Sequence, residues 1–144
     1  SEMCIRDRLE SLKPLAAFHE VLIHADCKPL CIYANARQMT ELLSNLLSNA
    51  IKYNKPGGEV WVTITEEDKE MIIRVRDNGM GIPKESLGRI FERFYRVDKG
   101  RSRKQGGTGL GLSIVKHIAG YYHGTITVQS ELEAGTEFTV KIPI

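Results

Sequence analysis

The sequence predicts an α+β fold in which a mixed sheet is covered on one face by helices. Three observations lead there. Met39, Leu42, Leu43, Leu46, Leu47, Ala50 and Ile51 form the broad apolar stripe of a long amphipathic helix. Val60, Val62 and Ile64 alternate with Trp61, Thr63 and Thr65, the period of a half-buried strand. Strand and helix patterns alternate along the chain without a regular βαβ repeat, which disfavours a purely parallel sheet. At 144 residues, with no internal repeat or linker, the chain fits one domain with a real core.

Taken in order, Leu9, Leu12, Leu15 and Phe18 recur three apart and predict a short helix from Leu9 to His19. Val21 to Ile23 and Leu30 to Tyr33 read as short strands around a turn at Cys27-Lys28-Pro29. Asn35 is placed to cap a helix from Ala36 to Asn54, which Pro56-Gly57-Gly58 stops. The alternating strand from Val60 passes through a polar turn, Glu66 to Lys69, into Met71 to Val75, ending at Asp77. A hairpin follows from that order. Pro83 to Ile90 reads as a short helical turn, and Gly109 to Tyr122 as a helix with Leu112, Ile114, Val115, Ile118 and Ala119 inward. Ile126 to Gln129 and Glu137 to Ile142 form a closing hairpin around Glu133-Ala134-Gly135.

Composition narrows the function. A hydrophobic content of 42% is that of a globular protein, and a net charge of +2 gives no sign of a nucleic acid partner. Charge is concentrated locally: between Arg93 and Lys104 stand six cations and one acid, Asp98. That run abuts glycines and suits a polyphosphate. The segment Val97 to Gly107, poor in apolar groups, is expected to be mobile. Cys4, Cys27 and Cys31 have no second cysteine pair to complete a zinc site, so reduced thiols are expected. No apolar run approaches the roughly 20 residues that span a bilayer, so a soluble fragment without membrane contact is expected.

Three segments carry chemistry. Asp77 ends an apolar strand, where a partly desolvated carboxylate needs a donor such as the exocyclic amine of adenine. Gly79 and Gly81 beside it allow close approach of a planar base, although Asp-Asn-Gly is also a plain turn signal. Asn45 and Asn49, one turn apart, project from one helical face, and Asn is a poor helix former. An amide oxygen is a hard ligand suited to Mg²⁺. Gly107-Thr108-Gly109-Leu110-Gly111 opens a helix, where free amides and the positive helix end attract anions. It is not a P-loop, since no Lys-Ser or Lys-Thr follows, and it follows no strand directly, unlike a dinucleotide-binding turn.

These segments stand in a fixed order: Glu41 to Tyr53, Asp77-Asn78-Gly79-Met80-Gly81-Ile82, Phe91-Glu92-Arg93-Phe94-Tyr95-Arg96, and Gly107 to Ser113. Together they resemble the ATP-binding catalytic domain of sensor histidine kinases, in the wider (GHKL) family that includes DNA gyrase and heat-shock chaperone ATPases. The resemblance runs from about Tyr33 to the C-terminus. It implies a two-layer α/β sandwich with ATP between helices and a long lid. It implies that Asp77, with Gly79, Gly81 and Ile82, reads adenine, and that Asn49 holds Mg²⁺. Asn45 would position the phosphates, and Lys52 and Tyr53 would meet phosphate or ribose. Gly107, Thr108, Gly109, Leu110, Gly111 and Leu112 would complete the nucleotide site. Arg96 would stand at the γ-phosphate, Glu41 would assist at the reacting end, and Phe94 would join the nucleotide site. The aromatic box would pack the lid and meet the phosphoacceptor domain, with Phe91 in the core.

The implied activity is transfer of the ATP γ-phosphoryl to a His on a separate phosphoacceptor and dimerisation domain, with a response regulator as indirect partner. The cofactors are ATP and Mg²⁺, the isolated domain is expected to be monomeric, and the location cytoplasmic, with an inner-membrane anchor open for the parent. None of His19, His24, His117 and His123 has the surroundings of a phosphoacceptor. The alternatives are a nucleotide-binding module, an ATPase or a serine kinase. The ATPases use Glu where Asn45 stands, which argues against efficient hydrolysis. Ser1 to Arg8 match nothing in the family and are set aside, leaving 9–144 as the domain. Asn35 stands where the family usually has Asp, a change that keeps a cap. Tyr122-His123-Gly124 replaces a usual His-Gly-Gly, which puts roughly 1 kcal/mol of strain on a left-handed His123.

Overall fold

The computed structural model describes residues 2–14, 20–97 and 111–144. Its elements are β1 (Glu2–Cys4), α1 (Ile5–Glu10), β2 (Leu22–Cys27), β3 (Cys31–Tyr33), α2 (Ala36–Lys52), β4 (Glu59–Glu67), β5 (Glu70–Asp77), α3 (Gly111–Tyr121), β6 (Thr125–Glu131) and β7 (Gly135–Pro143). A single 3₁₀ turn, Lys84–Ser86, stands where the short helical turn is expected.

Five strands form a mixed sheet in the order β2-β4-β5-β7-β6, and β1 pairs with β3 in a second small sheet. β2 runs parallel to β4, with Leu22 opposite Glu59 and Cys27 opposite Ile64; the other neighbours are antiparallel. The parallel pair needs a long crossover, and α2 provides it. β4 and β5 join through Asp68 and Lys69, both left-handed at φ 50° and 63°, a two-residue turn whose twist suits a hairpin. β2 is longer than its sequence suggests because it lies at a sheet edge, where one polar and mostly exposed strand face hides the period.

Val60, Val62, Ile64, Met71, Ile73, Val75, Phe138, Val140 and Ile142 turn one sheet face inward. α2 lays its leucine stripe there, and α3 adds Val115, Ile118 and Ala119. Asn35 caps α2, its side-chain oxygen accepting from the Gln38 amide at 3.1 Å. α3 ends as expected on a left-handed His123, φ 61°, and the Gly124 amide closes back onto the Ala119 carbonyl at 2.7 Å. No helix among the described residues is long and apolar enough to cross a membrane.

Ser1 to Arg8 were set aside as matching nothing in the family; in the structure Ile5, like Leu9, is fully buried in the common core. They stand one helical turn apart, so α1 offers a two-residue apolar stripe to the core beside α2. β1 fixes that helix by pairing Met3 with Ile32. α1 ends at Glu10 and shares only Leu9 and Glu10 with the helix expected from Leu9 to His19, a turn following at residues 11–12; 15–19 lie outside the described residues.

Candidate nucleotide-binding site

α2 separates its surroundings by phase. The leucines face the sheet, and Glu41, Asn45, Asn49, Lys52 and Tyr53 occupy the other side, half-buried apart from the exposed Glu41. The Asn45 amide nitrogen donates to the Glu41 carbonyl one turn back, at 2.8 Å. Its oxygen faces the start of α3: a Cβ on Gly111 would stand 3.1 Å from Asn45 Oδ1. The polar face of α2 and the amino end of α3 are therefore adjacent, and the dipole of α3 gives the place a positive polarity.

β5 delivers Asp77 to the same region from below. The carboxylate is 6% exposed and accepts from the Gly79 amide at 2.9 Å and from the Thr136 amide. Burial pushes its pKa up to about 6, and those two backbone hydrogen bonds act against the rise. The expectation of a partly desolvated carboxylate at the strand end is met.

The loop after Asp77 lies against the carboxyl end of α2. The Met80 amide donates to the Tyr53 carbonyl at 3.2 Å, and a Cβ on Gly79 would come within 2.4 Å of that oxygen. Gly81 is left-handed at φ 74°, and a Cβ there would meet the Glu131 carbonyl oxygen at 2.2 Å. Both glycines are required by main chain passing close behind them. Asn78 ties the loop to β4: its Oδ1 accepts from the Glu59 amide at 2.8 Å, while the Asn54 amide donates to the Glu59 carbonyl at 3.0 Å.

The structure thus sets Asn45 beside Gly111, and the Tyr53 carbonyl beside Gly79 and Met80 next to Asp77; α2 joins these two places and carries Asn49 and Lys52, and Gly81 and Ile82 continue the loop. Leu112 packs half-buried against the core. Gly107, Thr108, Gly109, Leu110 and the cations of 98–104 lie outside the described residues. Phe91 meets Phe138 edge-on at 6.2 Å, the core role expected of it. Phe94 is 64% exposed, with φ 66° and the Arg93 guanidinium 5.7 Å from its ring. No hydrogen bond or ring contact among the described residues ties Phe94 or Arg96 to Asp77.

Sequence reasoning missed the back of the site. Ser130 and Thr136, at the tip of the β6–β7 hairpin, hold Ile82 and Asp77 respectively. The signal lay in strand order: once β7 neighbours β5, Thr136 falls opposite Asp77. No three His, Cys, Asp or Glu side chains among the described residues gather as a metal site.

The family model described as histidine kinase-, DNA gyrase B- and HSP90-like ATPase matches residues 34–144. The signal transduction histidine-protein kinase ArlS of Staphylococcus haemolyticus is 43% identical over 136 residues, which cover 94% of this chain and 30% of that protein. The chain therefore spans about a third of such a relative's length. The mycobacterial sensor histidine kinase MprB shares the fold, with a TM-score of 0.83, 24% identity and coverage of 99% of this chain and 97% of that one. Full-length ShkA in complex with AMPPNP gives a TM-score of 0.77 at 28% identity, over 96% of this chain and 29% of that one. The chain belongs to the family of histidine kinase-, DNA gyrase B- and HSP90-like ATPases, with the sequence and fold of the ATP-binding catalytic domain of sensor histidine kinases.

Proposed function

We propose that the chain binds Mg·ATP between the polar face of α2, the Asp77–Ile82 loop and the start of α3, and presents the γ-phosphoryl to a histidine on a separate phosphoacceptor domain. The carrying observation is the Asp77 carboxylate, buried at a strand end beneath a loop whose two glycines exclude side chains. An ionised carboxylate there accepts from the exocyclic amine of adenine and rejects the carbonyl that guanine presents instead. The ShkA structure with the ATP analogue AMPPNP supports the same reading.

Each further residue has a task in this reading. Lys52 and Tyr53 lie one turn beyond Asn49 and meet ribose or phosphate. Asn45, beside the amides that open α3, orients the phosphate chain. Asn49 offers one hard oxygen, which suits Mg²⁺, an ion that retains water and takes few protein ligands besides phosphate. Bound there, the ion neutralises phosphate charge. Arg96 adds a fixed cation toward the γ-phosphoryl, and the exposed Phe94 reaches toward the partner domain or the nucleotide. The histidine nitrogen forms a bond to phosphorus as the bond to the bridging oxygen breaks, and ADP leaves with that electron pair. The protein's contribution is position and charge. Asn45 has no carboxylate with which to activate water, which favours transfer over hydrolysis. A cytoplasmic location and a parent with further domains, a response regulator downstream, follow from the same reading.

Calorimetric titration with ATP, ADP and GTP, with and without Mg²⁺, tests binding. Labelled ATP mixed with a histidine-bearing phosphoacceptor domain tests transfer. ATP binding with label on the partner histidine is expected; equal affinity for ATP and GTP would overturn the adenine reading.

A further inference from the structure

Besides its main-chain bonds, the Asp77–Ile82 loop is held by the Ser130 side chain of the β6–β7 hairpin. The Ile82 amide donates to Ser130 Oγ at 2.8 Å, and the Ser130 hydroxyl donates to the Gly135 carbonyl at 3.0 Å. Ser130 Oγ also lies 2.8 Å from Thr136 Oγ1. A hydroxyl has one proton and two lone pairs. With its proton on Gly135, Ser130 must accept from both the Ile82 amide and the Thr136 hydroxyl, and its capacity is then full. Thr136 in turn donates its backbone amide to the Asp77 carboxylate. One oxygen therefore ties both ends of the loop, Ile82 directly and Asp77 through Thr136. A parallel bond, the Glu133 amide to the Met80 carbonyl at 2.7 Å, is main chain on both sides and uses no side chain.

We infer that Ser130 is a positioning residue of the adenine site. It fixes the distance between the Asp77 carboxylate and the main chain of Gly81 and Ile82, the two edges between which the base is read. The inference rests on the adenine reading of Asp77. Ser130 itself touches no nucleotide, so its effect falls on the base and not on the phosphates. Neither alanine nor valine could replace it, because each leaves the Ile82 amide and the Thr136 hydroxyl without their partner. Threonine keeps the oxygen.

The test titrates the 144-residue chain, as wild type, Ser130→Ala, Ser130→Thr and Asp77→Asn, with ATP, ADP and GTP. Ser130→Ala is expected to weaken ATP and ADP by the same factor, on the order of tenfold, and to narrow the preference for ATP over GTP. Ser130→Thr is expected to restore both. Wild-type affinity and preference in Ser130→Ala, alongside weakened Asp77→Asn, would overturn the role of Ser130 alone. Full ATP affinity in Asp77→Asn would overturn the adenine reading beneath it. A lowered melting temperature with an unchanged ATP to GTP preference would make Ser130 merely structural and also overturn the inference. Should Ser130→Ala not fold, hydrogen exchange at the Ile82 amide of the wild type decides. Strong protection before nucleotide is added is expected, and free exchange there would refute a pre-set loop.

Discussion

The Asp77–Ile82 loop and the Phe91–Val97 segment belong to the same proposed site and are built in opposite ways. The first is fixed by main chain: Met80 to Tyr53, Glu133 to Met80, and amides of Gly79 and Thr136 on a buried carboxylate. Among the described residues, the second has main-chain bonds only within its own short turns, Glu92 to Arg89 and Tyr95 to Glu92, and beyond Phe91 is held by side chains. Arg89 pairs with Glu92 and lies 4.6 Å from the Tyr95 ring, whose hydroxyl donates to Ser86, and Phe94 points outward. The end assigned to the base is thus set before any ligand arrives, at the expense of tolerance to substitution. The end assigned to phosphate and partner accepts change in the fold and is free to respond to what binds.

The sharpest way to break this contrast is to add a methyl group at the first end. Gly79→Ala places a Cβ 2.4 Å from the Tyr53 carbonyl oxygen, and Gly81→Ala places one 2.2 Å from the Glu131 carbonyl oxygen at a left-handed φ. Backbone cannot yield as a flexible side chain does. Each variant is expected to lose about 3 kcal/mol or more of stability, read by thermal unfolding, together with nearly all ATP binding. A melting temperature within about 2 °C of wild type would show that the loop is soft.

Next is Asp77→Asn, expected to weaken ATP binding by about 1–3 kcal/mol in calorimetry, the range of a charged hydrogen bond. The same carboxyl makes binding and stability respond to pH with opposite signs. Its pKa is about 6 in the folded chain against an ordinary 3.8. The folded state holds its proton more tightly than the unfolded one, so stability falls by roughly 2–3 kcal/mol as pH rises from about 4 to about 6, then stays level with respect to this group. In the proposed reading nucleotide needs the ionised form. ATP affinity should therefore rise through pH 6, with a loss of about tenfold at pH 5 relative to pH 8. Melting curves and titrations across that window check both signs; an affinity independent of pH would mean that the carboxylate does not face the base.

Asn49→Ala sharpens the contrast within α2, since it lies on the polar face and not on the leucine stripe. It should reduce the Mg²⁺ dependence of ATP binding while changing stability by less than about 1 kcal/mol, measured by titration with and without the ion. The smallest effect is expected at Phe94. Phe94→Gly removes an exposed ring and relieves a left-handed φ, so the melting temperature should stay within about 2 °C or rise slightly. A large fall would show that the second region is as tightly built as the first.

Legibility followed the same division. Helix α2 and its cap, the β4–β5 hairpin and the left-handed His123 were readable, because each depends on neighbours in sequence. So was the buried state of Asp77, since an acid after an apolar strand has few other fates. The role of Ser130 and Thr136 was not. It arises from β7 lying between β5 and β6, a long-range pairing that leaves no local pattern. The parallel pairing of β2 was hidden for the same reason, and the burial of Ile5 because only two apolar residues one turn apart announce it. Phe94 shows the converse: its motif was legible, while its outward, left-handed placement was set by the turns around it.

β5 has a neighbour on each side along its whole length, β4 and β7. Backbone amides in such a strand exchange with solvent only when the sheet opens as a unit. Asp77 is the last residue of that strand, so a nucleotide held by it would be tied to a strand paired on both sides. At a hundredfold excess over its dissociation constant, a ligand that binds only the folded chain adds about 2.7 kcal/mol. That addition should appear as slower exchange throughout Met71 to Val75, residues that the proposed site does not include. The middle strand would thereby turn a local recognition event into protection of the sheet.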